Sequence, residues 1–193
     1  MPYRKNISAI ILAGGRSSRM GTDKGLILFN GRPLVTYVLN VLQSLEFREI
    51  FIITQNAAYK KFGYPCFPDL VQDKGPLGGI CAGLNHSTLN KSLILGCDMP
   101  FISEQMIMEL VNISGSEDVL LTHHHGMPEP LCSIYDQRCL EHFSSRIEQG
   151  QLKITDALAD LNIRNISFDE QPWFKGNELS NMNSPDDLNK QKQ

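Results

Sequence analysis

Leu12-Ala13-Gly14-Gly15-Arg16-Ser17-Ser18-Arg19-Met20-Gly21-Thr22-Asp23-Lys24-Gly25, directly behind the apolar run Ile7-Ser8-Ala9-Ile10-Ile11, is the stretch on which the reading of this chain turns. A continuous rather than alternating apolar run suits a strand covered on both faces, as in a parallel sheet. Glycines straight after such a strand let backbone N–H groups approach phosphate oxygens, because no Cβ intervenes. Arg16, Arg19 and Lys24 add positive charge, so a polyphosphate is the ligand that suits this surface. Two commoner motifs fail on spacing. No GxxxxGK[ST] can be written, since Lys24 is followed by Gly25, and GxGxxG is also absent. A merely solvated loop would have no need of this concentration of glycines, serines and cations beside a buried strand.

Outward from the loop, Ile50–Thr54, Ser92–Gly96, Val119–Thr122, Leu131–Tyr135 and Ile163–Phe168 read as further strands. Pro33 opens a helix over Leu34–Leu45 with Leu34, Val38, Val41, Leu42 and Leu45 on one face. Pro76 and Leu77 open another that ends near Ser87, and Ser103 caps a third over Glu104–Ile113. Ser184-Pro185-Asp186-Asp187-Leu188 has the N-cap, N1 proline and acidic first turn of a fourth. Strands alternating with helices predict an α/β fold with three layers (αβα) and a mainly parallel sheet. One domain spans 1–193, with a frayed tail at Asn189–Gln193 and room for an antiparallel strand between Thr122 and Pro130.

Composition narrows the function. At 193 residues, 41% hydrophobic and 20% charged, the chain has the balance of a soluble domain with a real core. A net charge of −3 argues against a broad nucleic-acid surface but leaves room for a small phosphorylated ligand. The basic N-terminus precedes an apolar run too short for a signal peptide, and no stretch reaches transmembrane length, so no membrane partner is expected. Five cysteines without a CxxC pair, an odd number, read as reduced core thiols of a cytoplasmic protein.

Three other segments bear on chemistry. Gly96-Cys97-Asp98-Met99-Pro100 follows a strand, and a carboxylate at the carboxyl end of a strand could ligate Mg²⁺. A turn capped by Asp98 before Pro100 accounts for the same residues equally well. Pro68-Asp69 and Gly75-Pro76-Leu77-Gly78-Gly79 place glycine at a helix start, either for close approach to a base or phosphate or for close helix–sheet packing. His123-His124-His125 invites a metal reading, but adjacent strand residues point to opposite faces, and an exposed loop is the better reading. Cys132 and Cys139 have no zinc spacing.

With these residues in hand, the chain resembles bacterial molybdenum cofactor guanylyltransferases over essentially its whole length. LAGGRSSRMGTDKG (12–25) is similar to the family signature, and GPLGGI (75–80), CDMP (97–100), PEPLCSIYD (128–136) and NMNSPDDL (181–188) resemble its later blocks in order. The resemblance implies a Rossmann-like nucleotidyltransferase fold and transfer of GMP from GTP to the phosphate of molybdopterin (Mo-molybdopterin), with release of pyrophosphate. It implies backbone contacts to the nucleotide from Leu12, Ala13, Gly14 and Gly15, with Lys24 on phosphate and Arg19 steadying the triphosphate. Asp69, Gly75 and Gly79 would lie on the guanosine side, Asp98 would hold Mg²⁺, and Asn181 and Asn183 would lie toward molybdopterin. Lys153 stands where the family often has arginine. Related cytidylyltransferases tend to have LAAG where this chain has Leu12-Ala13-Gly14-Gly15, so the second glycine looks like the guanylyl version. Further partners would be other molybdenum cofactor biosynthesis or acceptor proteins. The competing readings are a cytidylyl- or sugar-phosphate nucleotidylyltransferase of the same fold and a GTP-binding regulator without chemistry.

Overall fold

A computed structural model describes residues 6–14, 23–69 and 75–182. The chain runs through β1 (Ile7–Leu12), β2 (Leu28–Phe29), β3 (Arg32–Pro33), α1 (Leu34–Ser44), β4 (Ile50–Ile53), β5 (Cys66–Phe67), α2 (Gly75–His86) and β6 (Lys91–Gly96). It continues through α3 (Glu104–Ile113), β7 (Val119–His124), β8 (Met127–Pro128), β9 (Cys132–Asp136), α4 (Cys139–Glu148), α5 (Ile154–Leu158) and β10 (Ile163–Ser167). Short 3₁₀ helices stand at Lys24–Leu26 and Ala57–Phe62.

The main sheet has the order β10-β7-β9-β6-β1-β4-β5, with β8 paired to β7, while β2 and β3 form a separate hairpin. β1 is parallel to β4 and β6, β4 to β5, and β7 to β10. β9 is antiparallel to both β6 and β7. An antiparallel strand therefore does enter between Thr122 and Pro130, as β8. The triple-histidine segment is an exposed turn only at His125. His123 and His124 end β7, and His125 (φ 50°) with Gly126 (φ 76°) makes a two-residue turn of the left-handed kind that suits the twist of a hairpin.

Period-two alternation sends the side chains of buried β1 to both faces of the sheet. Ala9 and Ile11 share one core with Val35, Val38 and Leu42 of α1 and with Met106 and Leu110 of α3. Ile10 and Leu12 share the other with Leu77, Ile80 and Leu84 of α2 and with Phe143 and Ile147 of α4. This is the three-layer arrangement expected from the sequence. α2 lies close because its inner face is glycine: a Cβ on Gly79 would stand 3.2 Å from Leu12 Cδ1, and one on Gly83 3.0 Å from Ile10 Cγ2. Ser103 caps α3, its Oγ accepting from the Met106 N–H at 3.2 Å. The helix start at Ser184–Leu188 and the tail 189–193 lie outside the described residues. Among the described residues no helix is long and apolar enough to cross a membrane.

Candidate active site

The strand order fixes where a ligand can sit. From β1 the chain steps to β4 and β5 on one side, then returns to β6 on the other, so the order reverses between β1 and β6. In an open α/β sheet the crevice at such a reversal, beyond the carboxyl ends of the strands, is the binding place. The strand ends there are tied level. The Ala13 N–H donates to Ile53 O at 2.9 Å and the Cys97 N–H to Leu12 O at 3.2 Å. Leu12 and Ala13 are buried, whereas Gly14 is exposed, and among the described residues a Cβ placed on it would meet nothing within 4 Å. Packing therefore gives no reason for glycine at 14. The bare backbone leaves room for close approach of a ligand.

Asp98, two residues past β6, is buried, and its Oδ2 stands 3.4 Å from Lys24 Nζ. Lys24 is held there by what surrounds its neighbours. Asp23 Oδ1 accepts from the Gly25 N–H at 3.3 Å and from the Tyr59 hydroxyl, and Oδ2 accepts from Asn56 Nδ2 at 3.1 Å. Burial, reinforced by the nearby Cys97 and Asp23, pushes the Tyr59 hydroxyl far above its ordinary range, so it stays a proton donor. A Cβ on Gly25 would fall 2.3 Å from the Tyr59 oxygen and 3.0 Å from Cys97 Sγ. Gly25 is thus a packing glycine, unlike Gly14.

The C-terminal block reaches the same place. The Met182 N–H donates to Asp98 O at 2.9 Å, and the Met182 side chain is buried with Phe29 and Leu34. Asn181 is thereby brought beside Asp98. Asp69 lies past the end of β5, half-buried, near enough to Cys81 of α2 for its charge to add to the burial that raises that thiol. Gly75 opens α2 at φ 64°, and Gly79 backs Leu12 from within the helix. Asp69, Gly75 and Gly79 thus flank β1 on the α2 side, and Lys24 on the α1 side. Gly15, Arg16, Arg19 and Asn183 lie outside the described residues. Lys153 is exposed at the start of α5, 3.3 Å from Asp156.

Glu129 belongs to this neighbourhood and was not singled out by the sequence reading. Its carboxyl is held above the ordinary range by burial; His124 lowers it and Asp98 raises it, so it lies within electrostatic reach of both. Its backbone is fixed, the N–H donating to Thr122 O at 2.7 Å while its carbonyl accepts from the Ser133 hydroxyl at 2.8 Å. It lies within the block PEPLCSIYD (128–136), but an acidic residue between Pro128 and Pro130 by itself reads as a turn. Oxygen donors from one or two carboxylates, completed by phosphate oxygens and water, are the set Mg²⁺ takes. Asp98, with Glu129 near, fits that set.

Residues 9–162 match the family model described as the MobA-like NTP transferase domain. A protein of Flavobacterium johnsoniae named "probable molybdenum cofactor guanylyltransferase" is 36% identical over 186 residues, 96% of each chain. A molybdenum cofactor guanylyltransferase of Vibrio parahaemolyticus is 34% identical, over 94% of this chain and 92% of its own. Among solved structures, molybdopterin-guanine dinucleotide biosynthesis protein A from Archaeoglobus fulgidus superposes with a TM-score of 0.80 over 95% of both chains, at 24% identity. That last likeness bears on the fold.

Proposed function

The chain belongs to the MobA-like NTP transferase family, and from that premise we propose that it transfers GMP from GTP to the phosphate of molybdopterin, in a Mg²⁺-dependent reaction that releases pyrophosphate. Nucleotidyl transfer is the family's chemistry. The observation that carries the finer reading is the meeting of Lys24 and Asp98 at the reversal between β1 and β6, in a chain matched nearly end to end by relatives named for guanylyl transfer.

The acceptor phosphate is already ionised at neutral pH, so in-line attack on the α-phosphorus needs no general base. What this chain has to contribute is position and charge. The Gly14 backbone, open to the crevice, receives the triphosphate, to which the resemblance adds Gly15 and Arg19. Lys24, its place set by Asp23 and Gly25, neutralises charge on the phosphates and on the leaving pyrophosphate. Asp98 would hold Mg²⁺, which when bound would supply charge neutralisation to the phosphate oxygens. Asp69 and the start of α2 are assigned to the nucleoside and Asn181 to the acceptor, the role the resemblance also gives Asn183. The free cysteines suit a cytoplasmic setting.

Calorimetric titration with GTP, CTP, UTP and ATP, each with and without Mg²⁺, tests the reading. Selective, Mg²⁺-enhanced GTP binding followed by pyrophosphate release on addition of molybdopterin is expected. CTP preference would move the protein to cytidylyl transfer, and GTP binding without pyrophosphate release would make it a regulator.

A further inference from the structure

The tip of the β7–β8 hairpin meets the segment that follows β10. β10 pairs in parallel with β7, Ser167 opposite His123, so the register brings Asp169 abreast of the turn at His125. The result is a cluster of three side chains, His124, His125 and Asp169, whose potential ligand atoms all lie within 4.8 Å of one another. We propose that His124, His125 and Asp169 form a binding site for one divalent transition-metal ion of the zinc, cobalt or nickel class, separate from the Mg²⁺ position at Asp98 and independent of which nucleotide the enzyme uses.

Two consecutive histidines on a strand diverge, one to each face. Here the strand ends between them. The left-handed conformation of His125, at φ 50°, swings its imidazole back beside that of His124, with ring centroids 4.0 Å apart. The carboxylate is held by both neighbours: Asp169 Oδ1 is 2.7 Å from His124 Nδ1, and Oδ2 accepts from the His125 N–H at 2.8 Å. Phe174 packs its ring edge-to-face on His124 at 5.5 Å. Backbone hydrogen bond, turn conformation and aromatic contact hold two of the three groups in place without metal, which reduces the ordering cost of binding one.

The donor set decides the class of ion. Two imidazoles and one carboxylate favour borderline metals over Mg²⁺, which prefers oxygen alone. Ligands on a tetrahedral zinc ion, at about 2.0–2.1 Å each, stand roughly 3.3 Å from one another, a spread these side chains reach by small rotations. Occupied, the site clasps the hairpin to the segment after β10, and the hairpin leads directly into Glu129 at the rim of the crevice.

The test is a titration of the full chain with Co²⁺ and with Zn²⁺ in excess Mg²⁺, followed by cobalt visible absorption and calorimetry. One ion per chain is expected, bound equally in Asp98→Asn. In His125→Asn, which tolerates the left-handed backbone, and in Asp169→Asn, affinity is expected to fall by at least about tenfold. Circular dichroism without metal checks the fold of each variant. In the unaltered protein, Zn²⁺ should shift the side-chain NMR signals of His124 and His125 and leave those of His86 and His142. Equal affinity in both variants, unmoved His124 and His125 signals, or non-saturating binding (an adventitious ion only) would each overturn the site.

Discussion

Lys24 Nζ and Asp98 Oδ2 meet at 3.4 Å, joining the 3₁₀ turn at Lys24–Leu26 to the end of β6. The two belong to segments 74 positions apart and are brought together only because β1 and β6 are neighbours in the sheet. Their side chains are 31% and 12% exposed, so each is partly screened by water, and a pair of this kind contributes little to stability. It brings a cation and a carboxylate to one point of the crevice.

Removing either charge should therefore separate activity from folding. Asp98→Asn is expected to lower turnover by about a hundredfold or more, in the range seen when one electrostatic contact to a transition state is lost. Lys24→Ala should cost a few kcal/mol of transition-state stabilisation, roughly 3 kcal/mol. Thermal melts of both should stay close to the parent. Pyrophosphate release measured against Mg²⁺ concentration is the check, and near-parent rates for Asp98→Asn would exclude a metal-binding role.

Gly14 and Gly25 make opposite predictions although both lie in the signature. At Gly14 a Cβ meets nothing within 4 Å among the described residues, so Gly14→Ala should keep the parent Tm and weaken GTP binding by crowding the phosphates. At Gly25 a Cβ would be 2.3 Å from the Tyr59 oxygen. Gly25→Ala should thus destabilise by roughly 1–3 kcal/mol, as overpacking does, and disturb Lys24 as a consequence. Melting curves beside GTP titrations distinguish the two, and a normal Tm for Gly25→Ala would contradict the packing seen here.

Much of this was legible in the sequence because hydrophobic period and capping are local. All six strands expected from apolar runs are present, and α1, α2 and α3 begin within one residue of the positions read from Pro33, Pro76 and Ser103. α4 and α5 were not read, and both begin without a side-chain cap. β8 was foreseen only as a gap, since a two-residue strand has no period to detect. Within the site, Lys24 stood out as a cation of the glycine-rich signature and Asp98 because it follows a strand. Asp23, Tyr59 and Glu129 did not, because their roles come from tertiary neighbours far along the chain. The histidine triplet was misjudged for a related reason. The rule that neighbours diverge holds on a strand and fails at a left-handed turn residue.

Tyr59 supports Lys24 at one remove, through Asp23. Tyr59→Phe removes the hydroxyl donor while Asn56 Nδ2 and the Gly25 N–H remain on Asp23. A hydrogen bond to a carboxylate is worth about 1.5–3 kcal/mol, and stability should fall by an amount in that range. If Tyr59 acts by positioning Lys24, KM for GTP should rise as well, and Asn56→Ala should reproduce the direction. A stability loss with unchanged KM would confine Tyr59 to packing.

At the opposite end of β1, Glu49 predicts an acid limb to stability that has nothing to do with the crevice. Burial opposes its ionisation, but hydrogen bonds from the Ser8 hydroxyl, the Thr88 N–H and hydroxyl and the Ser87 hydroxyl outweigh it, so its carboxyl is held below the ordinary 4.5. A folded-state value below the unfolded one means that the contribution is present above the unfolded value. It is lost as pH falls through the folded value. These contacts tie the start of β1 and the end of α2 to the residue before β4, so their loss loosens the sheet from its amino end. Glu49→Gln should have a lower Tm than the parent at about pH 7 and converge on it at about pH 3, because protonating the parent removes the same charge. Glu117 and Asp136, which are also held low, retain part of the acid limb in the variant. A Tm difference that stays constant across this range would mean that the cluster acts by packing and not through the Glu49 charge.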